Sequence, residues 1–385
     1  MRPTNALRPA TAAALLCLAL APTAAAQESR IDRRDGHWRE AITPELKRAV
    51  EDGHRWLAEN QQADGSWHQH VGYKLNSNYE ITDYNAPHVG VTALALISFM
   101  AGGHLPGRGR YGDNIQRGLD YVLGCVTETG YISDNNTRMY SHAFATLFLA
   151  EIYGMSRRND VKAALQKAVN LICDSQNAQG GWRYRPFARE SDMSITVCQV
   201  VALRAARNVG ITVPVRHIDD AERYVRASAV DGGAPTRNRF GSRISNMIAN
   251  DGGAFRYQIG MHSRATFPLT AAGVTTLFAA GRYSTDEDLI QRALDYLDGQ
   301  LVIFNRSFQG HYFFYYGHYY AVQAYYIAGG ERWRHYFREM RELLLSMQRR
   351  DGSWPCDPGP GDAFSTAVAT LILSIPLQYL PIFQR

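Results

Sequence analysis

The chain has 385 residues, 45% of them hydrophobic and 20% charged, with a formal net charge of +5 at pH 7. Such a length and apolar share suit one or two ordinary globular domains and exclude a disordered or fibrous chain. There is no dense basic run of the kind that tracks nucleic acid, and beyond the first residues no uninterrupted apolar stretch reaches the ~18 residues that span a bilayer.

In chain order, Arg2 and Arg8 flank a basic start, followed by the apolar run AAALLCLALA and the small-residue stretch APTAAA before Gln27. That is the pattern of a secretory signal cut near Ala26. Cys17 follows Leu16, where a lipoprotein signal would want a small residue, so the expected product is exported, to periplasm or medium, without a lipid anchor. Loss of the signal takes two arginines with it and leaves a net charge of about +3. Residues 27–42 form a polar, Arg-rich lead-in, and Thr43-Pro44 then marks a helix start, with a threonine cap and proline at the first helical position.

From residue 43 to 385 the chain reads as helix of two alternating kinds. Six segments are charged and striped, from ELKRAVEDGHRWLAEN to ERWRHYFREMRELLLSMQ; six are apolar or small on nearly every face, from HVGVTALALISFMAGG to FSTAVATLILSI. A helix striped on one side lies at a surface, whereas one greasy all round must be enclosed. Strict alternation at roughly 50-residue intervals predicts one all-α domain, an (α/α)6 toroid of six hairpins with charged helices outside and apolar ones inside. Five apolar helices end at Gly102, Gly154, Gly210, Gly281 and Gly329, each suited to a left-handed cap. Strand signals are confined to Phe255-Arg256-Tyr257. Residues 232–253, rich in Arg, Asn and Ser, break the period as an inserted surface loop. Cys125, Cys173, Cys198 and Cys356 permit disulfides in an exported chain, but a core this large does not require them.

Three copies of Gln-x-x-x-Gly-x-Trp, at Gln61 to Trp67, Gln176 to Trp182 and Gln348 to Trp354, fall where a charged helix ends. The glycine allows a positive-φ turn, the glutamine amide can satisfy free backbone groups, and the tryptophan covers the junction; a structural staple is expected, not a catalytic motif. With Gly53-x-x-Trp56-Leu57 in front of it, the first copy matches the repeat of squalene and oxidosqualene cyclases. The whole chain resembles the squalene cyclase and prenyltransferase repeat superfamily, and within it exported single-toroid bacterial proteins of unassigned activity. The resemblance implies an α/α toroid. It also implies two chemistries to look for.

The cyclases of that superfamily protonate their substrate with an Asp-x-Asp-Asp acid, which is absent here. The nearest residues are Glu190 and Asp192, where one carboxylate could raise the pKa of the other; Asp192 with Ser194 behind it also reads as an ordinary N-cap. The prenyltransferases bind zinc through Asp, Cys and His; His142 and His318 alone fall short of three or four ligands, so no metal and no cofactor is expected. The run HYFFYYGHYYAVQAYY packs in more aromatics than an outer seam can hold. Tyr315, His318 and Tyr319, joined by Tyr84, His88, Tyr140 and His142 from the first two inner helices, are therefore expected to line a central cavity. Gly107-x-Gly109-x-x-Gly112 follows a helix instead of a strand and reads as a loop. The expected function is an exported toroid that binds an apolar or amphipathic ligand, such as an isoprenoid, lipid or glycan, or a protein partner. The alternative is an enzyme, either a terpenoid cyclase-like one using an Asp/Glu acid or a polysaccharide lyase or hydrolase, and fold alone does not choose between these.

Overall fold

The computed structural model describes residues 41–75, 78–230, 252–260, 263–279 and 287–380. The proposed signal, the lead-in up to residue 40, nearly all of the proposed 232–253 loop and Gly281 lie outside them. Residues 41–385 form one compact unit.

Twelve helices run through the described residues: α1 Pro44–Glu59, α2 Val89–Ala101, α3 Gly112–Gly124, α4 Arg138–Ser156, α5 Asn159–Asp174, α6 Met193–Asn208, α7 Val215–Ala227, α8 Phe267–Ala279, α9 Asp288–Phe308, α10 Tyr312–Ala328, α11 Gly330–Met347 and α12 Asp362–Ser374. The start of α1 is built as its sequence requires, with the Thr43 hydroxyl accepting from the Leu46 N–H at 3.2 Å. Odd-numbered helices bury one stripe; in α1 it is Leu46, Ala49, Val50, Gly53, His54 and Leu57. Even-numbered helices are enclosed, and all thirteen residues of α2 are buried. Each even-numbered helix packs on the next, and α12 returns to α2. The result is a closed α/α toroid, as the alternation predicts.

The Gln-Gly-Trp segments close the seams between successive outer helices. Gln61 Nε2 donates to the Gly65 carbonyl of its own turn and to the Asn114 carbonyl of α3, both at 2.9 Å. Gln176 does the same with Gly180 and His217, each at 2.8 Å. Gln348 bridges Gly352 at 3.0 Å and Ala49 at 2.9 Å, which joins α11 to α1 and shuts the ring. The glycine turns inward with φ of +89° at Gly65, and a Cβ there would lie 2.3 Å from the Arg117 carbonyl oxygen. The indoles of Trp67, Trp182 and Trp354 donate to Leu57, Ile172 and Leu344 at 2.7 to 2.9 Å. Their backbone N–H groups donate to Thr92, Thr196 and Thr366 on the inner helices. Both N–H groups of each tryptophan therefore have a partner in a buried position, where an unmet one costs ~1–3 kcal/mol.

Two expectations need correction. A two-stranded hairpin, β1 His68–Leu75 and β2 Asn78–Pro87, stands between α1 and α2. The period-2 signal is short, Val71, Tyr73 and Leu75 on β1 and Tyr79 and Ile81 on the mostly exposed β2, and it does not stand out beside the long helical pattern. Residues 255 and 256 do form isolated bridges, with Ala229 and Ala265. Of the proposed cap glycines, Gly210 and Gly329 have positive φ; Gly102 does not and its neighbour Gly103 does, while Gly154 lies within α4, which ends on Arg157 in the left-handed region. Cys125, Cys173, Cys198 and Cys356 are all free thiols.

Candidate functional site

The inner helices converge at their N-terminal ends on a cavity of about 140 Å³. Every inner helix contributes to it: His88, Val91 and Leu94 from the start of α2, Arg138, Tyr140 and Phe144 from α4, Ser194 from α6, Leu269 from α8, Tyr312, Phe313 and Tyr316 from α10 and Phe364 from α12. The β1–β2 hairpin supplies Gly72, Tyr73 and Tyr79 to one wall, and Tyr184 adds another ring. That hairpin is anchored where His70 N donates to the Pro360 carbonyl at 2.7 Å and Gln69 Oε1 accepts from Ala363 N at 3.1 Å.

The walls are aromatic and interlocked. Tyr140 meets Tyr184 and Tyr316 with ring centroids 6.1 and 6.2 Å apart, Tyr316 meets Tyr320 at 5.3 Å, and Tyr79 meets Tyr312 at 5.6 Å. Edge-to-face contacts of this kind add to burial and hold ring faces in fixed directions. Tyr140, Phe144 and Tyr316 retain accessible area although protein surrounds them, because that area faces the cavity. Burial raises the phenols of Tyr140 and Tyr316 well above their ordinary range, so they act here as neutral donors and acceptors. Arg138, with φ of +63°, lays its guanidinium over the Tyr73 ring at 4.7 Å. Among the described residues no carboxylate lies within ion-pair distance of it. It is the cationic side chain on the cavity wall.

The residues singled out from the sequence divide sharply. His88 and Tyr140 line the cavity. His88 caps α2, with Nδ1 accepting from Val91 N at 3.2 Å, and burial lowers its pKa to about 4. Tyr84 is 74% exposed on β2, against His70. His142 is buried and its Nδ1 accepts from Ile132 N at 3.1 Å, which is the position and task of the threonines behind the tryptophans in the other hairpins. Tyr315 donates to the Pro355 carbonyl at 2.7 Å, and His318 is held between Tyr336 and Asn305 at 3.0 and 2.7 Å. Tyr319 packs on Phe144 and Tyr320 below the cavity lining. Within the aromatic run the cavity-facing arc is thus 312, 313 and 316, not 315, 318 and 319.

Glu190 and Asp192 are not equivalent. The Glu190 side chain is 70% exposed and ion-paired with Arg183. Asp192 is fully buried as the N-cap of α6; Oδ1 accepts from Ile195 N at 3.0 Å and from Ser194 Oγ at 2.6 Å, while Oδ2 has no hydrogen-bond partner. Burial raises its pKa, opposed by the Ser194 and Ile195 hydrogen bonds, then by the Arg183 charge and the nearby Tyr257 hydroxyl. Asp192 itself does not line the cavity; its neighbour Ser194 and the ring of Tyr184 do.

No family model matches the chain, and no curated protein does. Solved structures do. The α-1,6-mannanase GH76A of Salegentibacter sp., an inactive variant with two adjacent aspartates replaced and α-1,6-mannotriose bound, aligns with a TM-score of 0.59 at 9% identity, over 86% of this chain and 98% of that one. The type II terpene cyclase MstE from Scytonema, in complex with geranylgeranyl dihydroxybenzoate, aligns with a TM-score of 0.54 at 13% identity, over 87% and 98%. A protein from Actinoplanes aligns with a TM-score of 0.54 at 14% identity, over 87% and 99%. At these identities the likeness shows the fold alone: the chain is an α/α toroid, an architecture it shares with an α-1,6-mannanase and a type II terpene cyclase.

Proposed function

We propose that the chain is an exported binding toroid whose hub takes up an amphipathic ligand, with an apolar, isoprenoid-like body among the Tyr140, Phe144, Phe313 and Tyr316 rings and an anionic head at Arg138. The observation that carries this reading is the pairing of an aromatic cavity of about 140 Å³ with one guanidinium that has no ion-pair partner among the described residues. Aromatic faces suit unsaturated apolar chains, and a guanidinium held against a ring recognises carboxylate or phosphate with directional hydrogen bonds. That a toroid of this fold binds geranylgeranyl dihydroxybenzoate supports the isoprenoid class.

The test is a fluorescence or calorimetric titration with farnesoic acid and with farnesol. Farnesoic acid is expected to bind more tightly, and Arg138→Gln to weaken it by about tenfold, the loss of ~1.4 kcal/mol of charge-assisted bonding, while farnesol is unaffected. Equal affinity for acid and alcohol, or none for either, would refute the assignment.

A cyclase-like reading has one observation in its favour, the bare Oδ2 of buried Asp192 just behind the cavity wall. It requires turnover of an added polyprenyl substrate that Asp192→Asn abolishes. The glycan-hydrolase reading has less support. The one Asp-Asp pair in the sequence, Asp219-Asp220, lies on outer helix α7, where Asp220 pairs with Arg223.

A further inference from the structure

At the opposite end of α2 from the cavity, the ring carries a second cluster that the hub does not use. Glu51 and His54 lie three residues apart on α1 and so share one face of that helix. His104 joins them from the loop after α2, and the ligand-capable atoms of the three lie within 4.8 Å of one another. We propose that Glu51, His54 and His104 bind a divalent transition-metal ion, of which Zn²⁺ is the best match.

His54 is oriented as a ligand would need to be. Its Nε2 lies 3.0 Å from the Ser98 carbonyl, an acceptor that fixes the proton on that nitrogen. This leaves Nδ1 with its lone pair, and although the residue is 1% exposed Nδ1 makes no hydrogen bond. A backbone carbonyl that holds the far nitrogen of an imidazole is the usual support for a metal-binding histidine. Gly102 packs against that edge, where a Cβ would lie 2.4 Å from His54 Cε1 and 3.1 Å from Nδ1, so a larger residue would push the ring out of place. His104 stands edge-on to His54, with centroids 5.5 Å apart at 81°, and edge-on to Tyr111. Glu51 is held by the Tyr111 hydroxyl at 2.8 Å and by Arg110, both on Oε1, so Oε2 is the oxygen left for an ion.

Packing alone accounts for the His54 ring against Phe99. It does not account for two imidazoles and a carboxylate whose ligand-capable atoms gather within 4.8 Å of one another. Two imidazoles and a carboxylate favour Zn²⁺, Ni²⁺ or Cu²⁺ over Mg²⁺ or Ca²⁺, which want oxygen. Three protein ligands leave a fourth tetrahedral position for water or a ligand. The thirteen residues of α2, about 20 Å of helix, separate the cluster from the cavity, so metal binding stands or falls independently of the ligand reading.

Calorimetric titration of chelator-stripped full chain with Zn²⁺ should show one site, and Co²⁺ should give the visible bands of a low-coordinate nitrogen and oxygen site. His104→Ala and Glu51→Gln, both at partly exposed positions that spare the core, should each weaken Zn²⁺ by at least about 100-fold, more than the 10–100-fold that loss of a supporting bond to a ligand costs. Gly102→Ala should weaken it without removing a ligand. His335→Ala, at the exposed His335–Glu339 pair, should change nothing. Wild-type binding no tighter than millimolar, or full affinity in both His104→Ala and Glu51→Gln, would overturn the site.

Discussion

The seams and the hub of this ring treat polar atoms in opposite ways. At each of the three stapled seams the glutamine amide, the indole N–H and the backbone N–H behind it all find partners at 2.7 to 3.1 Å. Around the hub, Asp192 Oδ2, His142 Nε2, Gln199 Oε1 and the Tyr319 hydroxyl are buried without one. Native proteins rarely leave such atoms bare, and those that do so concentrate them where something other than stability is served. The seams hold the ring together, and among the described residues the inner helices carry most of the buried polar atoms that lack a hydrogen-bond partner.

Lowering the pH should separate the two regions most strongly. Burial depresses His88 to about 4 and His142 and His318 to about 3. The unfolded chain takes up those protons near pH 6.5 and the folded one does not. Stability is therefore fully present above about pH 6.5 and falls as the pH drops toward 4, with a slope approaching ~1.4 kcal/mol per unit for each histidine. Urea unfolding at pH 7, 6 and 5 measures this; a flat profile would mean that these rings are not buried neutral.

Next in size are the seam glycines. Gly180→Ala must force a side chain at φ of +87° to within 2.3 Å of the Asp220 carbonyl oxygen, a loss of ~3 kcal/mol or more. Gly107→Ala, at φ of +62° with open space around it, should lose only the ~1–2 kcal/mol of left-handed strain. Denaturation midpoints that fail to separate these two variants would remove the close approach as the reason for glycine at the seam. Trp182→Phe, which leaves the Ile172 carbonyl with only the longer bond from the Ser175 hydroxyl at 3.2 Å, should cost about 1 kcal/mol.

The smallest effect belongs to the hub. Asp192→Asn keeps a residue able to cap α6 and removes a carboxylate whose raised pKa disfavours the folded state once the pH exceeds its unfolded value of ~3.8. Stability at pH 7 should rise by about 1 kcal/mol or less, and the gain should vanish in acid. A clear loss would place Asp192 with the seams.

The alternation of charged and greasy helices made the ring legible, since each kind has only one place to go. The staples were equally plain, because Gln, Gly and Trp recur at fixed spacing for reasons that are local. The hub was half legible. His88 and Tyr140 do stand on the cavity wall, but the aromatic run is turned by about one residue from the arc expected, because an all-apolar helix has no stripe to set its rotation. His142 resembled a cavity residue until its threonine counterparts could be seen. Arg138, Tyr73 and Tyr79 could not be found from period, since a short polar hairpin and a left-handed helix start decide where they point.

The contact of Gln348 with Ala49 joins positions 299 residues apart, yet its bonds duplicate those between helices that follow one another in the chain. The wheel has no privileged spoke. Tying the ends of the described chain with a flexible tether and cutting instead at an exposed turn outside the staples, such as Gly107–Gly109, should yield a permuted protein with the same topology, because what sets the order of spokes is the repetition of the joint rather than the point at which synthesis begins.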